Sequence, residues 1–458
     1  GGTAWTDVTS NITGMPAWGT VRKIEPSRFD PAVAYIAVDA HMLDDRKPYI
    51  FRTGDMGRTW TRVSGDLPSD HPLSYVMAVA ENPNRKGMLF AGTGHAFFYS
   101  LDDGAHWTQL KTGLPASPVS WVTVQKQYHD VVVSTYGRGL FILRDISMLE
   151  QTDEIDAGAD AQLYEPRPAL RTARGGSATF MHALRAAPAD SVRWEIVDAS
   201  GAVIRRMATA GRGGVSRVTW DLRGNTPRQP ELRALAPDNP AIWEEPRFKD
   251  RTSRGVFHWG IDGPQRAGVL VAPGSYTVRM SVNGRTYAQP FVVLKDPAVS
   301  SADADLLANT ATQQRIVGDI NSAVEMINQI EIVRKQIEEQ LRKPGVTSAQ
   351  MKALQQLEQR AFATELQLLS RTEQNSDDKW FVESYKVYLN LIWLYGEVGT
   401  GAGDVAGGAD YRPTDAQMET LAQIERDLAK ANAEYKVLME THLPAFTKAT
   451  GITLILIM

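Results

Sequence analysis

One eight-residue pattern occurs twice in the first quarter of the chain and constrains the fold more than any other feature. Thr53 to Trp60 and Ser100 to Trp107 both follow [S/T]-x-D-x-G-x-x-W, and each is followed by a Leu-Pro pair whose proline comes eight residues after the tryptophan. A unit of about 50 residues that repeats in this way predicts a series of similar small β sheets.

The chain opens on what looks like a third copy. Gly2-Thr3-Ala4-Trp5, with Gly14-Met15-Pro16 behind it, matches the last half of the pattern. Strand-like segments rich in β-branched or aromatic residues lie between the copies, as at Ala34–Val38 and Asp130–Ser134. Each copy is therefore expected to be a tight turn between two strands of one sheet.

The residue types of the pattern explain the turn. Ser/Thr and Asp side chains can bond the turn amides, Gly supplies a positive φ, and Trp packs its ring between sheets. Because the motif recurs, a structural role is favoured over catalysis or metal binding at these carboxylates. The residues predicted to hold the turns are Thr53, Asp55, Gly57, Trp60, Ser100, Asp102, Gly104 and Trp107.

This motif is the Asp-box, or BNR repeat, and the chain resembles the sortilin/Vps10-like and sialidase-like β-propellers. The strand region Ser134 to Ile146 looks like the last blade of large secreted bacterial proteins often labelled "glycosyl hydrolase, BNR repeat". The resemblance implies a secreted or periplasmic protein. About two and a half blades cannot close a ring, so the sequence is expected to be the C-terminal portion of a longer chain.

Two further regions follow the repeats. Strand-like segments, with a hairpin turn at Asn283-Gly284, resemble the immunoglobulin-like sandwich of flagellar hook-cap type. From Ser301 the apolar period becomes helical; Pro344-Gly345 ends a first helix, Trp380 to Val398 reads as a third, and Thr414-x-x-Gln417 is a capping box for a fourth.

The predicted fold class is therefore multidomain: incomplete β-propeller blades, an immunoglobulin-like β-sandwich, then an antiparallel α-helical bundle. The expected boundaries are 1–147 for the blades, 148–166 for a linker, 167–298 for the sandwich with a Pro-rich insertion at about 224–267, 299–450 for the bundle and 451–458 for an apolar tail. We expect the insertion to lie over a neighbouring domain, and the tail to add an edge strand if it meets a sheet.

Composition excludes several classes. The 49 basic and 53 acidic residues give a net charge of −4, which argues against a nucleic-acid binder that relies on phosphate neutralisation. The sequence has no cysteine for disulfides, thiol catalysis or cysteine-bound metal. It has no apolar run long enough to span a bilayer. We expect no cofactor and no metal.

The candidate binding residues are His95, Tyr136 and Arg138. His95 comes just before the second Asp-box strand, while Tyr136 and Arg138 lie in the Thr135–Leu143 segment; for all three, ordinary packing is the competing interpretation. His41 with Asp44 and Asp45 could form a metal cluster, although a solvated loop is favoured because no second histidine has ligand spacing. The catalytic residues are unknown, since no nucleophile elbow or pair of carboxylates stands out.

Three functions remain open. The first is an extracytoplasmic binding or scaffold protein for a glycan, peptide or protein partner. The second is a sialidase- or xyloglucanase-like glycoside hydrolase whose carboxylates lie in upstream blades. The third is a structural subunit that assembles through the bundle, as a homo-oligomer or in a larger complex. A propeller fold cannot choose among these functions.

Overall fold

In the computed structural model, the chain divides into two compact units. Unit 1 comprises Gly1–Pro168, Phe180–Ala187 and Arg212–Arg217, and unit 2 comprises Ala169–Thr179, Pro188–Gly211 and Val218–Met458. The structure describes residues 2–111, 113–152, 159–172, 175–258, 260–376, 382–399 and 410–456. The main architecture agrees with the predicted order of β sheets followed by a C-terminal helical region.

Unit 1 contains three antiparallel sheets in which neighbours in sequence pair side by side. The first two have four strands each and the third has three. The strands are β1 (Thr20–Pro26), β2 (Ala34–Ala40), β3 (Asp45–Thr53), β4 (Thr61–Arg62), β5 (Val76–Glu81), β6 (Leu89–Thr93), β7 (Phe97–Ser100), β8 (Thr108–Gln109), β9 (Val119–Gln125), β10 (Asp130–Thr135) and β11 (Gly139–Leu143).

The three sheets can be aligned through a shared irregularity. The first strand of each sheet shifts its register against the second strand near its start, between Val21 and Lys23, Val76 and Ala78, and Val119 and Trp121. When residue pairs are counted from these shifts across the second strand to the third, Phe51, Phe98 and Phe141 occupy equivalent positions. The repeat in the sequence is thus also a repeat in strand register.

A polar cluster ties the end of the third sheet to the second. After β11 comes the short helix α1 (Ser147–Glu150), whose Glu150 carboxylate lies 2.5 Å from Nδ1 of His129 and accepts a 2.7 Å bond from the Asn82 amide. Burial opposes the charged form, but these hydrogen bonds outweigh it and lower the pKa of Glu150. Strand β12 (Ala161–Leu163) follows and pairs with the last residues of β14 (Gly175–Leu184).

Unit 2 begins with a sheet of order β13-β19-β18-β15-β16, in which β13 and β19 run parallel. The Asn283-Gly284 turn joins β18 to β19 with positive φ at both residues, as the hairpin prediction requires. The immunoglobulin-like assignment stays a prediction. The remaining strands are β13 (Ala169–Thr172), β15 (Val192–Val197), β16 (Val203–Thr209), β17 (Gly214–Trp220), β18 (Gly274–Val282) and β19 (Arg285–Lys295).

The helical part of unit 2 follows the predicted apolar periodicity. Thr414 and Gln417 form the predicted capping box, and Thr347–Gln350 and Ser370–Glu373 form two more. A five-residue π-helical stretch, Leu438–His442, joins the last two helices. The helices are α2 (Asp262–Arg266), α3 (Asp303–Leu341), α4 (Ser348–Glu365), α5 (Arg371–Gln374), α6 (Val387–Val398), α7 (Asp415–Val437) and α8 (Leu443–Thr450). No helix in the described ranges is long and apolar enough to cross a membrane.

The third predicted helix begins later than expected. Trp380 lies outside the described residues, and helix α6 starts only at Val387 because Lys386 is in an extended conformation. The connection before it is held by buried acceptors: the Glu373 carboxylate accepts the backbone N–H of Lys386, and Leu368 accepts that of Tyr388. These bonds replace the helical bonds that the aromatic periodicity suggested.

The Pro-rich insertion runs along helix α3. Its backbone N–H groups find acceptors on polar side chains of that helix rather than on a strand. The bonds are Arg228 to Asn321 (2.8 Å), Glu231 to Asn328 (2.7 Å), Ala234 to Glu331 (2.7 Å) and Leu235 to Glu338 (2.6 Å). Leu232, Val256 and Ile261 from the same segment are buried in the helical core.

The apolar tail also packs on α3 in the residues described. Gln336 both donates to the Ile455 carbonyl and accepts its N–H, each at 2.8 Å, and Leu454 is buried in the helical core. These two bonds hold the backbone of the tail as a neighbouring strand would. The tail was expected to add an edge strand if it met a sheet. Residues 451–456 are not part of a strand.

A buried ionic cluster lies inside the helices. The Arg334 guanidinium donates to Glu331 (3.0 Å), Glu358 (2.9 Å) and Glu365 (2.5 Å). Burial still raises the pKa of Glu365 well above its usual range, and burial raises the pKa of nearby Glu373 to about 7. Burial in the helical core therefore opposes ionisation of the acids at these two positions.

The raised pKa of Glu373 predicts that the helical region loses stability as pH rises. The Glu373 carboxyl ionises near pH 4.5 in the unfolded chain and near pH 7 in the folded one. The free energy of unfolding is therefore highest below pH 4.5 and falls between the two values. The shift corresponds to about 3 kcal/mol. Glu373→Gln should remove this part of the pH dependence in urea unfolding followed from pH 4 to pH 8, with Glu339→Gln, an exposed acid on α3, as control.

Candidate functional site

Three turns of unit 1 lie at the same end of their sheets, where β1, β5 and β9 begin. The Gly94 N–H in the β6–β7 turn donates to the Tyr75 carbonyl (3.1 Å), and the Tyr136 N–H in the β10–β11 turn donates to the Pro118 carbonyl (2.9 Å). The β2–β3 turn adds His41, which stacks on Tyr75. We call this the histidine end and define it by residues 41–44, 71–75, 94–96, 117–118 and 136–138.

Two pairs of stacked rings form its centre. The His41 and Tyr75 rings lie 4.3 Å apart at 18°, and the His71 and His95 rings lie 3.9 Å apart at 21°. Both histidines of the second pair bond the backbone of Leu73: its N–H donates to Nδ1 of His71 (3.1 Å), and Nδ1 of His95 donates to its carbonyl (3.0 Å). These bonds place the proton of His95 on Nδ1 and leave Nε2 of His71 to carry its proton.

The three predicted binding residues share this end but differ in their surroundings. His95 belongs to the stacked pair, whereas the Tyr136 side chain is 80% exposed and Arg138 is exposed beside it. His71 and Tyr75 were missed by sequence reasoning. Both lie in the loop that connects a Leu-Pro pair to the first strand of the following sheet. This loop recurs with the repeat, and its position is the signal that could have identified them.

His41 has a different acidic partner from the one expected. Its Nδ1 lies 2.7 and 2.8 Å from the two oxygens of Asp39, whereas Asp44 pairs with Arg46 and Asp45 accepts from Tyr49. Asp44 has φ +63 and ends the short 3-10 helix His41–Leu43 in the β2–β3 turn. Among the residues described, no three His, Asp or Glu side chains come together in a way that could hold a metal ion.

The histidine end offers a ligand both aromatic rings and ring nitrogens. Flat faces of imidazole and phenol rings offer stacking surfaces, and ring nitrogens offer hydrogen bonds. The Asp39 carboxylate is only 5% exposed and bonded to His41 through both oxygens, so it is poorly placed to protonate a glycosidic oxygen. Nearby, on the first strands, Lys23 lies 3.8 Å above the Trp121 ring.

The two Asp-boxes lie at the opposite end of their sheets and make matching hydrogen bonds. Thr53 Oγ1 accepts the Gly57 N–H at 2.9 Å, as Ser100 Oγ accepts the Gly104 N–H. Asp55 accepts the Thr59 N–H (2.8 Å), and Asp102 accepts the His106 N–H (2.9 Å). Each turn carries positive φ, at Met56 and Gly57 in one and at Asp103 and Gly104 in the other.

The tryptophan of each box closes its turn. The Trp60 Nε1–H donates to the Gly57 carbonyl (3.2 Å), and that of Trp107 donates to Gly104 (3.1 Å) and to Val63 of the preceding sheet (2.8 Å). Trp107 is buried between the first two sheets, whereas Trp60 is half-buried. The Asp-box side chains thus bond their own turns.

Local hydrogen bonding also fixes the charge of the two aspartates. Bonds from the Thr59 hydroxyl and N–H lower the pKa of Asp55 to about 2. For Asp102, burial opposes ionisation, but bonds from His106 and Ser100 outweigh it and lower the pKa to about 2 as well. Both are carboxylates at neutral pH, which is the opposite of what a general acid needs.

No protein-family model matches the chain, and no curated protein matches it. Similar solved structures include a GH74 enzyme of Niastella koreensis, with 16% identity over 60% of this chain and TM-score 0.23. An ancestral GH74 enzyme (10% over 60%, TM-score 0.23) and the Penicillium chrysogenum α-L-arabinanase complexed with arabinobiose (11% over 61%, TM-score 0.20) are two others.

The chain spans 38% and 34% of the two GH74 chains and 82% of the arabinanase. Each of these TM-scores is below 0.5.

Thr53→Val and Ser100→Ala should each destabilise unit 1. Both hydroxyls are buried and bond a turn amide, so removing them leaves that amide unsatisfied, at a cost of about 1–2 kcal/mol. Urea unfolding measures the loss, with Thr13→Val, an exposed position, as control. Equal stability of all three variants would contradict the structural role of the motif.

Proposed function

We propose that unit 1 forms blades of an Asp-box β-propeller in an extracytoplasmic protein that binds carbohydrate at the histidine end. The stacked rings of His41 with Tyr75 and of His71 with His95 are the observation that carries this proposal. Four-stranded antiparallel sheets repeated along the chain support the assignment to blades. The sandwich and bundle boundaries given above are part of the same proposal.

Carbohydrate is favoured over other ligands by the residue types present. A sugar ring offers an apolar face of C–H groups to a stacked aromatic ring and hydroxyls to ring nitrogens. His71 and Leu73 are exposed at the same end, so a ligand can reach the rings and an apolar neighbour together. A peptide or protein partner is the alternative that needs a larger contact area.

Hydrolysis is the second activity that deserves a direct test. On the residues described, the Asp-box carboxylates are committed to turns and Asp39 is committed to His41. The hydrolase alternative places its catalytic carboxylates in upstream blades. The binding proposal needs only residues that unit 1 itself supplies.

The proposal predicts that Tyr75→Ala and His71→Ala weaken glycan binding at least about 10-fold, since each removes a stacking surface. A glycan array identifies the ligand, and titration calorimetry then measures affinity. His106→Ala, which removes an exposed imidazole at the Asp-box end, is the matched control and should bind normally.

Two results would contradict this proposal. One is that no glycan on a broad array binds to the intact chain. The other is that His106→Ala lowers affinity as much as His71→Ala does, because binding would then not depend on the histidine end. Reducing-sugar release measured on the same polysaccharides reports hydrolysis separately from binding.

A further inference from the structure

The outer edge of β11 differs from the equivalent edges in the first two sheets. There, the third strands β3 and β7 pair with β4 and β8. Strand β11 pairs with β10, and across the described ranges no strand pairs with its other edge. The Leu140 and Ile142 side chains on β11 are 72% and 55% exposed. An exposed, apolar strand edge is a template for another strand.

A small apolar cavity lies beside this edge. Its volume is about 120 Å³, and its lining includes Phe97, Leu110 and Leu114 from the second sheet and its following loop, with Val133 and Phe141 from the third sheet. A cavity between two sheets, next to an edge without a partner, indicates a place for a side chain carried by an added strand.

Strand register identifies the type of side chain that fits the cavity. In the preceding pair of sheets, the equivalent positions are Ile50, Val63, Leu67, Ala91 and Phe98. Four of them share one apolar cluster with Trp107, and Val63 packs against that cluster. The backbone repeats as well, since the Val63 N–H donates to Ile50 and the Leu110 N–H donates to Phe97. The cavity thus has the lining of the Trp107 site, one sheet further along the chain.

The sequence of the fourth strands is equally constant. Trp60 is followed by Thr61, which pairs with Arg52, and Trp107 is followed by Thr108, which pairs with Tyr99. In the second sheet the Trp-Thr pair places the indole next to the preceding sheet, and in both sheets it places the threonine in the ladder. Ile142 is the residue of β11 equivalent to Arg52 and Tyr99.

We propose that β11 and the adjacent cavity bind an extended peptide strand containing Trp-Thr, supplied by a segment that is not part of the three sheets. Its threonine pairs with Ile142, and its indole enters the cavity and donates its N–H to the Leu110 carbonyl, as Trp107 donates to Val63. The site is independent of the histidine end, so glycan binding and strand binding can fail separately.

A fluorescent peptide with the sequence of residues 57–65 tests the proposal on the intact chain by anisotropy. We expect saturable binding that falls at least about 10-fold when Trp60 of the peptide is replaced by Ala. Leu110→Trp should fill the cavity and weaken binding to a similar degree, whereas Val437→Trp, which adds the same ring at an exposed helical position, should not. Equal binding of the Trp60→Ala peptide would overturn the proposal.

Disulfide trapping tests the register and does not depend on how Leu110→Trp folds. The chain has no cysteine, so Ile142→Cys introduces a single thiol. A peptide with Thr61→Cys should cross-link to it in redox buffer faster than to Leu140→Cys, two residues away on the same edge. Equal rates would overturn the register and, with it, the equivalence to the Trp107 site.

A second copy of the chain is the competing occupant. Trp5-Thr6 has the same sequence pair, and Trp5 is 90% exposed. Sedimentation of the chain alone measures its self-association. If the chain self-associates and Trp5→Ala abolishes this, another copy fills the site, and the assignment to a separate segment is overturned. A monomer that binds the peptide supports it.

Discussion

The indole of Trp107 joins the first two sheets of unit 1 through both apolar packing and hydrogen bonds. It shares one apolar core with Ile50, Leu67 and Phe98, and its N–H donates to carbonyls from both sheets. The Asp-box turn places this ring, because Ser100 and Asp102 fix the backbone just before it. The spacing between neighbouring sheets thus depends on a local turn, and the histidine end inherits its geometry from that spacing.

Sequence reasoning succeeded where the causes are local. The Asn283-Gly284 hairpin and the Thr414–Gln417 capping box each depend on residues within a few positions of one another. It failed for His71 and Tyr75, because their partners His95 and His41 are 24 and 34 residues away in sequence. The folding of the second sheet brings His71 to His95, and the packing of the first sheet against the second brings His41 to Tyr75; a single sequence reports neither contact.

The helices of unit 2 contain polar residues whose partners could not be predicted from the sequence either. Asn321, Asn328 and Glu331 lie on α3 at helical spacing, and by composition they belong to a solvated face. Instead they accept backbone N–H groups of the Pro-rich segment, which has few strands to satisfy them. Arg334 likewise interrupts an apolar stripe because three glutamates from two helices surround it. Buried polar groups are kept only when they are paired, so both patterns follow from tertiary packing.

The two ends of the sheets in unit 1 differ in how their polar groups are satisfied, and this difference bears on function. At the Asp-box end, Thr53, Asp55 and their counterparts bond their own turns, which leaves little chemistry for a ligand. At the histidine end, hydrogen bonds to Leu73 and Asp39 use one nitrogen of His71, His95 and His41 and hold the rings in place. A ring that is held by one edge keeps its other edge for recognition. Preorganised side chains lose little entropy on binding, so the end with fixed rings is the better place to seek a ligand.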